Sequence, residues 1–251
     1  MTEHRTVHTP LDTAAVIDTQ SPLLENPRYY QALTGSINYI TVCSRPDTAF
    51  AISFLARSNK TPTTSDLARA KRCLAYIYQT RKTKMLKYTP SDLTKLKFRV
   101  YVDSSLGNGE KHRSVCGYVV IVNGNVIYYK SRQQSITAMS STEAEFVALA
   151  LSVKDLQWIR GIFEEMRCNV LSQVIFSDNQ GAIKIATANQ STARTRHLSF
   201  KLQYTRETVR KESISIRYVN TQDNVADIFT KSLGRIQFQK LADKLYKFNQ
   251  N

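Results

Sequence analysis

The sequence predicts an α/β protein in which a mixed five-stranded sheet is covered by helices and preceded by a small helical region. Three observations predict it. Between residues 96 and 219, five short apolar or alternating runs read as strands. The first three follow one another directly, while the later ones alternate with helix-period segments. Upstream, residues 27 to 88 carry helical patterning punctuated by Pro46 and Pro62.

In chain order, residues 1 to 26 form a Thr- and Pro-containing leader, expected to be irregular, and residues 27 to 88 form three helices separated by turns at the two prolines. The Tyr29-Tyr30 pair could stack on nucleic-acid bases, although amphipathic helices more often bury such rings. Residues 89 to 95, containing TPSDLT, are the expected linker to a domain spanning 96 to 248. There Leu96, Phe98, Val100 and Val102 alternate on one side of a strand closed by Asp103. Gly117 to Val122 and Val126 to Tyr129 flank Asn123-Gly124-Asn125, a hairpin signature. Ser140, Ser141 and Thr142 are N-cap candidates for a helix reaching about Met166. Val174 to Ser177 is a fourth strand ending at Asp178, a helix follows from about Asn179 to Thr187, and Ile214 to Val219 alternates as a fifth strand.

Four acids stand at strand ends or near helix starts: Asp103 in YVDSS, Glu145 in SSTEAEFVAL, Asp178 in FSDNQGAIKIA and Asp227 in NVADIFTKSL. Converging carboxylates repel and take up protons unless a hard cation compensates them. Any one of them alone would ordinarily be a cap or a solvated turn residue; the set is what points to chemistry. At about 100° per residue, Glu145 shares a stripe with Leu149, Val153, Leu156 and Phe163, the face that packs on the sheet. Glu143 lies roughly 160° away and reads as a capping-box partner of Ser140 on the outer face. Asp227 falls off the stripe of Val225, Ile228 and Phe229, so helical geometry alone leaves Asp223 as an alternative.

The motifs TPL (Thr9 to Leu11), YYQALTGSINYITVCSRPDTAFAISFLAR (Tyr29 to Arg57), ARAKRCLAYIYQTR (Ala68 to Arg81), SSTEAEFVAL, SDNQGAI, TRHLSFKLQYTRE and NVADIFTKSL occur in this order over nearly the whole chain. In order and spacing they resemble the C-terminal end of the Pol polyprotein of copia-type retrotransposons, that is, the tail of a reverse transcriptase followed by a ribonuclease H domain. The resemblance implies a ribonuclease H fold that cuts the RNA strand of RNA–DNA hybrids. It assigns the catalytic and metal-binding carboxylates to Asp103, Glu145, Asp178 and Asp227, and gives Asp223 no counterpart. It further implies two Mg²⁺ ions, with Mn²⁺ able to substitute, bridged by Asp103. Ser104, Ser141 and Gln180 are implied substrate contacts, Gln180 reaching the minor groove of the hybrid. Residues 27 to 88 correspond to the end of the polymerase near its thumb and connection, so the remainder of a reverse transcriptase is an expected partner.

The chain departs from the family pattern in two places. Asp103-Ser104-Ser105-Leu106 stands where many relatives have Asp-Ala-Asp-Trp, and Arg113 to Gly117 replaces a more hydroxyl-rich stretch. Both bear on substrate affinity more than on the metal ligands. Tyr101-Val102-Asp103-Ser104 mimics the polymerase YxDD motif but lacks its second aspartate, so no polymerase activity is expected.

The net charge of +15 and pI near 9.7 predict a polyanionic partner. Basic residues cluster from Arg69 to Lys87 and again at Arg194, Arg196, Lys201, Arg206, Arg210, Lys211 and Arg217. Arg194, Arg196, His197 and Lys201 are candidate phosphate contacts. His197 is not expected to be the mobile catalytic histidine of cellular ribonucleases H, because the loop from Tyr218 to Asp227 contains no histidine. Cys43, Cys73, Cys116 and Cys168 are widely spaced without a CxxC pair, which predicts reduced thiols rather than zinc or disulfides. With no long apolar segment or secretory signal, an intracellular protein without a membrane partner is expected, cytoplasmic or nuclear, or in a virus-like particle if the element is active. Two further readings compete with the nuclease: an inactive remnant that binds nucleic acid, and a structural piece of a larger reverse transcriptase. Convergence of the four carboxyl groups within roughly 4 to 6 Å separates the first reading from the others.

Overall fold

The computed structural model of the chain describes residues 6–13, 15–18, 20–107, 113–188 and 198–248. The chain divides into two compact units, Met1–Lys87 with Lys231–Tyr246, and Tyr88–Thr230 with Lys247–Asn251.

In the first unit, α1 (Pro27–Ser44) starts at Asn26, whose side chain accepts from the Arg28 amide. Pro46 ends it and opens a short 3-10 turn before α2 (Ala49–Leu55). The third helix, α3 (Thr64–Thr80), begins with a full capping box between Thr63 and Asp66. Tyr30, Ile37, Leu55, Cys73 and Tyr76 are buried among these helices. Of the Tyr29-Tyr30 pair, Tyr30 is buried with its hydroxyl on the Leu55 carbonyl at 2.7 Å, and Tyr29 is exposed.

At the centre of this unit lies Asp47, 1% exposed. A buried carboxylate must be fully hydrogen-bonded to be tolerated. Arg45 grips it with Nε at 2.9 Å and Nη2 at 2.8 Å, and the hydroxyls of Tyr76 and Tyr246 each donate at 2.6 Å. Tyr246 closes α7 (Arg235–Tyr246), whose Phe238, Leu241 and Leu245 are buried, with the Phe238 ring 5.7 Å from Tyr76. The expected 96–248 boundary differs here: Lys231–Tyr246 groups with the first unit, where the Phe238 ring and the Tyr246 hydroxyl find partners.

The second unit contains the mixed five-stranded sheet that the sequence predicts. Strands β1 (Leu96–Ser105), β2 (Val115–Val122), β3 (Asn125–Gln133), β4 (Val170–Ser177) and β5 (Ser215–Tyr218) lie in the order β3-β2-β1-β4-β5. β1, β2 and β3 pair antiparallel, and β4 and β5 join in parallel. The β2–β3 hairpin turns at Asn123 (φ 47°) and Gly124 (φ 85°), two consecutive positive φ values that suit an Asn-Gly pair. Helices α4 (Ser141–Glu165), α5 (Gln180–Thr187) and α6 (Ser199–Lys211) complete the unit. Leu96, Phe98, Val100 and Val102 are all buried in one apolar core with Phe146, Leu149, Val153 and Leu156 of α4, so the predicted helix stripe does face the sheet. Each such side chain contributes about 1.5–3 kcal/mol on burial. A polar clamp adds to this: Asp155 of α4 accepts from Tyr118 (2.6 Å), Tyr128 (2.9 Å) and Lys130 (3.0 Å) of β2 and β3. Among the described residues, no helix is long and apolar enough to cross a membrane.

Candidate metal centre

Asp103 and Asp178 meet because of strand register. In the parallel β1–β4 ladder Tyr101 pairs with Phe176, and their rings stack with centroids 4.9 Å apart. Each aspartate lies two residues further along, so the period of two returns both side chains to the same face at the carboxyl ends of neighbouring strands. Adjacent strands are about 4.8 Å apart, which sets the separation of the acids.

Asp227 reaches them from a different element. It lies in a buried 3-10 turn, Val225–Phe229, rather than in an α-helix. At three residues per turn, the α-helical stripe used to judge it does not apply. Asn224 caps the turn by accepting from Ala226 N at 3.2 Å, and its Nδ2 donates to the Val102 carbonyl at 2.9 Å, tying the turn to β1 beside Asp103. Thr230, at the far end, donates its hydroxyl to Asp103 Oδ2. Between them Phe229 passes over Gly117, where an added Cβ would stand 2.4 Å from Phe229 Cβ. Asp103, Asp178 and Asp227 each present a carboxylate oxygen, and these oxygens all lie within 4.8 Å of one another. Asp223 is exposed in the preceding turn.

Glu145, the fifth residue of α4, is not in this group of three, so the expected convergence of four carboxyl groups is met by the three aspartates. Its Oε1 accepts from the amide of Ser104, the residue after Asp103, at 3.1 Å. Gln134 fixes that junction, its Nε2 donating to the Ala144 carbonyl at 2.9 Å and to Ser104 Oγ at 3.3 Å. Glu143 departs from expectation. It is buried rather than on an outer face, and its Oε2 accepts from Met139 N at 2.9 Å while Ser140 Oγ accepts from the Glu143 amide at 3.2 Å. The start of α4 is packed on both sides, and the Met139 N–H with the helix dipole compensates the carboxylate.

The expected substrate contacts are spread more widely. Ser141 and Gln180 are exposed at the first residues of α4 and α5. These helix starts touch: a Cβ at Gly181 would lie 2.8 Å from Thr142 Cγ2. Lys201 is half-buried on α6, and Arg194, Arg196 and His197 lie outside the described residues. Thr230, Asn224, Gln134 and Gly117 escaped the sequence reading. Asn224 alone left a local signal, as a capping residue ahead of a short apolar turn.

A donor set made of carboxylate oxygens, with no histidine or cysteine in the group found among the described residues, suits a hard divalent cation. The fold and this centre together define an α/β domain with a carboxylate cluster at the carboxyl ends of its central strands. No protein-family model matches the chain. It is similar to the retrovirus-related Pol polyprotein from transposon TNT 1-94 of Nicotiana tabacum, at 29% identity over 211 residues, 84% of this chain and 16% of that protein. It is also similar to that from transposon RE1 of Arabidopsis thaliana, at 29% over 224 residues, 88% of this chain and 15% of that protein. The transposon Ty1-ER2 Gag-Pol polyprotein of Saccharomyces cerevisiae matches at 28% over 249 residues, 96% of this chain and 14% of that protein. The chain thus corresponds over most of its length to a segment of Pol polyproteins, and spans 14–16% of the length of these relatives.

Solved structures similar to it include LC11-RNase H1 in complex with RNA/DNA hybrid, with TM-score 0.42 and 15% identity, covering 53% of this chain and 93% of that one. Another is the foamy viral protease-reverse transcriptase in complex with RNA/DNA hybrid, with TM-score 0.35 and 16% identity, covering 72% of this chain and 26% of that one.

Proposed function

We propose that the second unit is a metal-dependent ribonuclease H that hydrolyses the RNA strand of RNA–DNA hybrids, within a fragment of a retrotransposon Pol polyprotein. The observation that carries this reading is the convergence of Asp103, Asp178 and Asp227 from two strand ends and a 3-10 turn. An inactive binding remnant or a purely structural segment gives no reason to gather three acids with oxygens within 4.8 Å. The relatives named as Pol polyproteins support the reading independently.

In this proposal Asp103, Glu145, Asp178 and Asp227 hold two Mg²⁺ ions, for which Mn²⁺ substitutes. When bound, the ions supply the positive charge that activates an attacking water and steadies a leaving 3′ oxygen. The chain's own work is placement. Register fixes two aspartates, the Asn224–Thr230 anchors fix the third, and the Ser104 amide holds Glu145 against the end of β1. Ser104, Ser141 and Gln180 contact the hybrid beside the acids, while Arg194, Arg196, His197 and Lys201 meet its phosphates.

The test is cleavage by purified protein of a labelled RNA strand, single-stranded or hybridised to DNA, with Mg²⁺ and with a chelator. Hybrid-only cleavage that stops on chelation is expected; equal loss of single-stranded RNA, or activity surviving chelation, would overturn the reading. Hybrid affinity should also fall with salt, with a log–log slope on the order of four to eight. Alanine at Arg194, Arg196 and Lys201 should flatten that slope by about one unit per lost contact.

A further inference from the structure

We propose that Thr230 is a positioning residue for Asp103, acting through one hydroxyl proton that has two acceptors within reach. The proposal rests on reading the acids as a divalent-cation centre. The Thr230 hydroxyl donates to Asp103 Oδ2, and the Asp227 carbonyl oxygen lies 3.2 Å from the same Oγ1. A hydroxyl has one proton to donate. Directed at Asp103, it fixes the rotation of that carboxylate about its Cβ–Cγ bond. Turned to Asp227, it releases Oδ2 to a cation and keeps a partner of its own. Thr230 therefore orients the ligand before binding and gives way when binding occurs.

The surroundings are built for this reach. Asp103 pairs with Gly117 across the β1–β2 ladder, and Gly117 is where the Phe229–Thr230 backbone comes down on the sheet. A Cβ there would stand 2.8 Å from Thr230 Cγ2 and 3.0 Å from the Phe229 carbonyl carbon. The missing side chain lets Thr230 approach, and the Thr230 amide on the Asp227 carbonyl at 3.2 Å holds the residue in the turn that carries Asp227. One residue thus couples two of the three clustered acids.

The experiment measures Mn²⁺ affinity by titration calorimetry on the full chain, with the metal-free unfolding midpoint as control, for the parent, Asp103→Asn, Thr230→Val and Thr230→Ser. Partners that orient metal ligands typically change affinity 10–100-fold. Thr230→Val, which keeps the shape and loses the proton, is expected to bind at least about tenfold more weakly, whereas Thr230→Ser stays within about threefold of the parent. A valine variant that binds like the parent overturns the proposal. So does a serine variant weakened tenfold or more, a result that decides the matter even if the valine variant does not fold. If the parent itself binds no Mn²⁺, the metal-centre reading falls and the proposal with it. If the parent binds, Asp103→Asn loses the ion and Thr230→Val is unchanged, only the role of Thr230 is lost.

Discussion

Glu143 and Glu145 stand two positions apart on α4 and both are buried, yet their carboxylates meet different groups: the Met139 amide in one case, the Ser104 amide beside Asp103 in the other. Glu143→Gln should lower stability by about 0.3–1 kcal/mol, the usual worth of an acid in a first helical turn, and leave cleavage near the parent rate. Glu145→Gln and Asp103→Asn should keep the fold and reduce cleavage by two orders of magnitude or more, on the order of what electrostatic groups at a reaction centre contribute. Comparable losses from both glutamate substitutions would refute the separation. A second test falls on Gly117. Gly117→Ala sets a Cβ against Phe229 and should cost about 1–3 kcal/mol by overpacking, with a parallel loss of metal affinity. Thermal unfolding and metal titration of the same samples check both effects.

How far these residues were legible depends on whether their geometry is periodic. Asp103 lies two residues before the end of β1 and Asp178 one past the end of β4, on strands whose side-chain period is two, so their positions could be read from alternation, as could the helix stripe of Glu145. Asp227 could not be placed that way, because a 3-10 turn obeys a different period, and only the motif resemblance favoured it over Asp223. The roles of Gly117 and Thr230 arise from through-space approaches between segments over a hundred residues apart, which leave no trace in local pattern.

Among the elements, α4 is held to the sheet by an apolar stripe and by Asp155. Burial alone would raise the Asp155 carboxyl, but hydrogen bonds from Tyr118, Lys130 and Tyr128 outweigh it and hold the group below the ordinary aspartate value of 3.8. An acid lowered on folding adds stability above its unfolded value and loses it as pH falls through the folded one. The contribution is therefore intact near neutrality and lost below about pH 3.8. Asp155→Asn should unfold at lower temperature than the parent at pH 6, and the gap should close as pH drops below that value. A gap of constant size down to pH 2.5 would show that Asp155 contributes by shape alone. The strands and α4 were foreseeable from their side-chain periods.

Taken whole, the chain returns to its first unit at the end, and Asp47 is the reason. Tyr246→Phe removes one of its four donor contacts and should cost about 1–3 kcal/mol, the penalty for under-satisfying a buried charged group. The closing helix also sets an order of events on the ribosome. Synthesis proceeds from the N-terminus and units fold as their parts become available. The first unit lacks α7 until residues 235–246 have been made, whereas all five strands and the clustered acids lie upstream of Thr230. The strands and the clustered acids can therefore be in place before α7 is made, leaving the helices around Asp47 short of the Tyr246 hydroxyl until residue 246 has emerged.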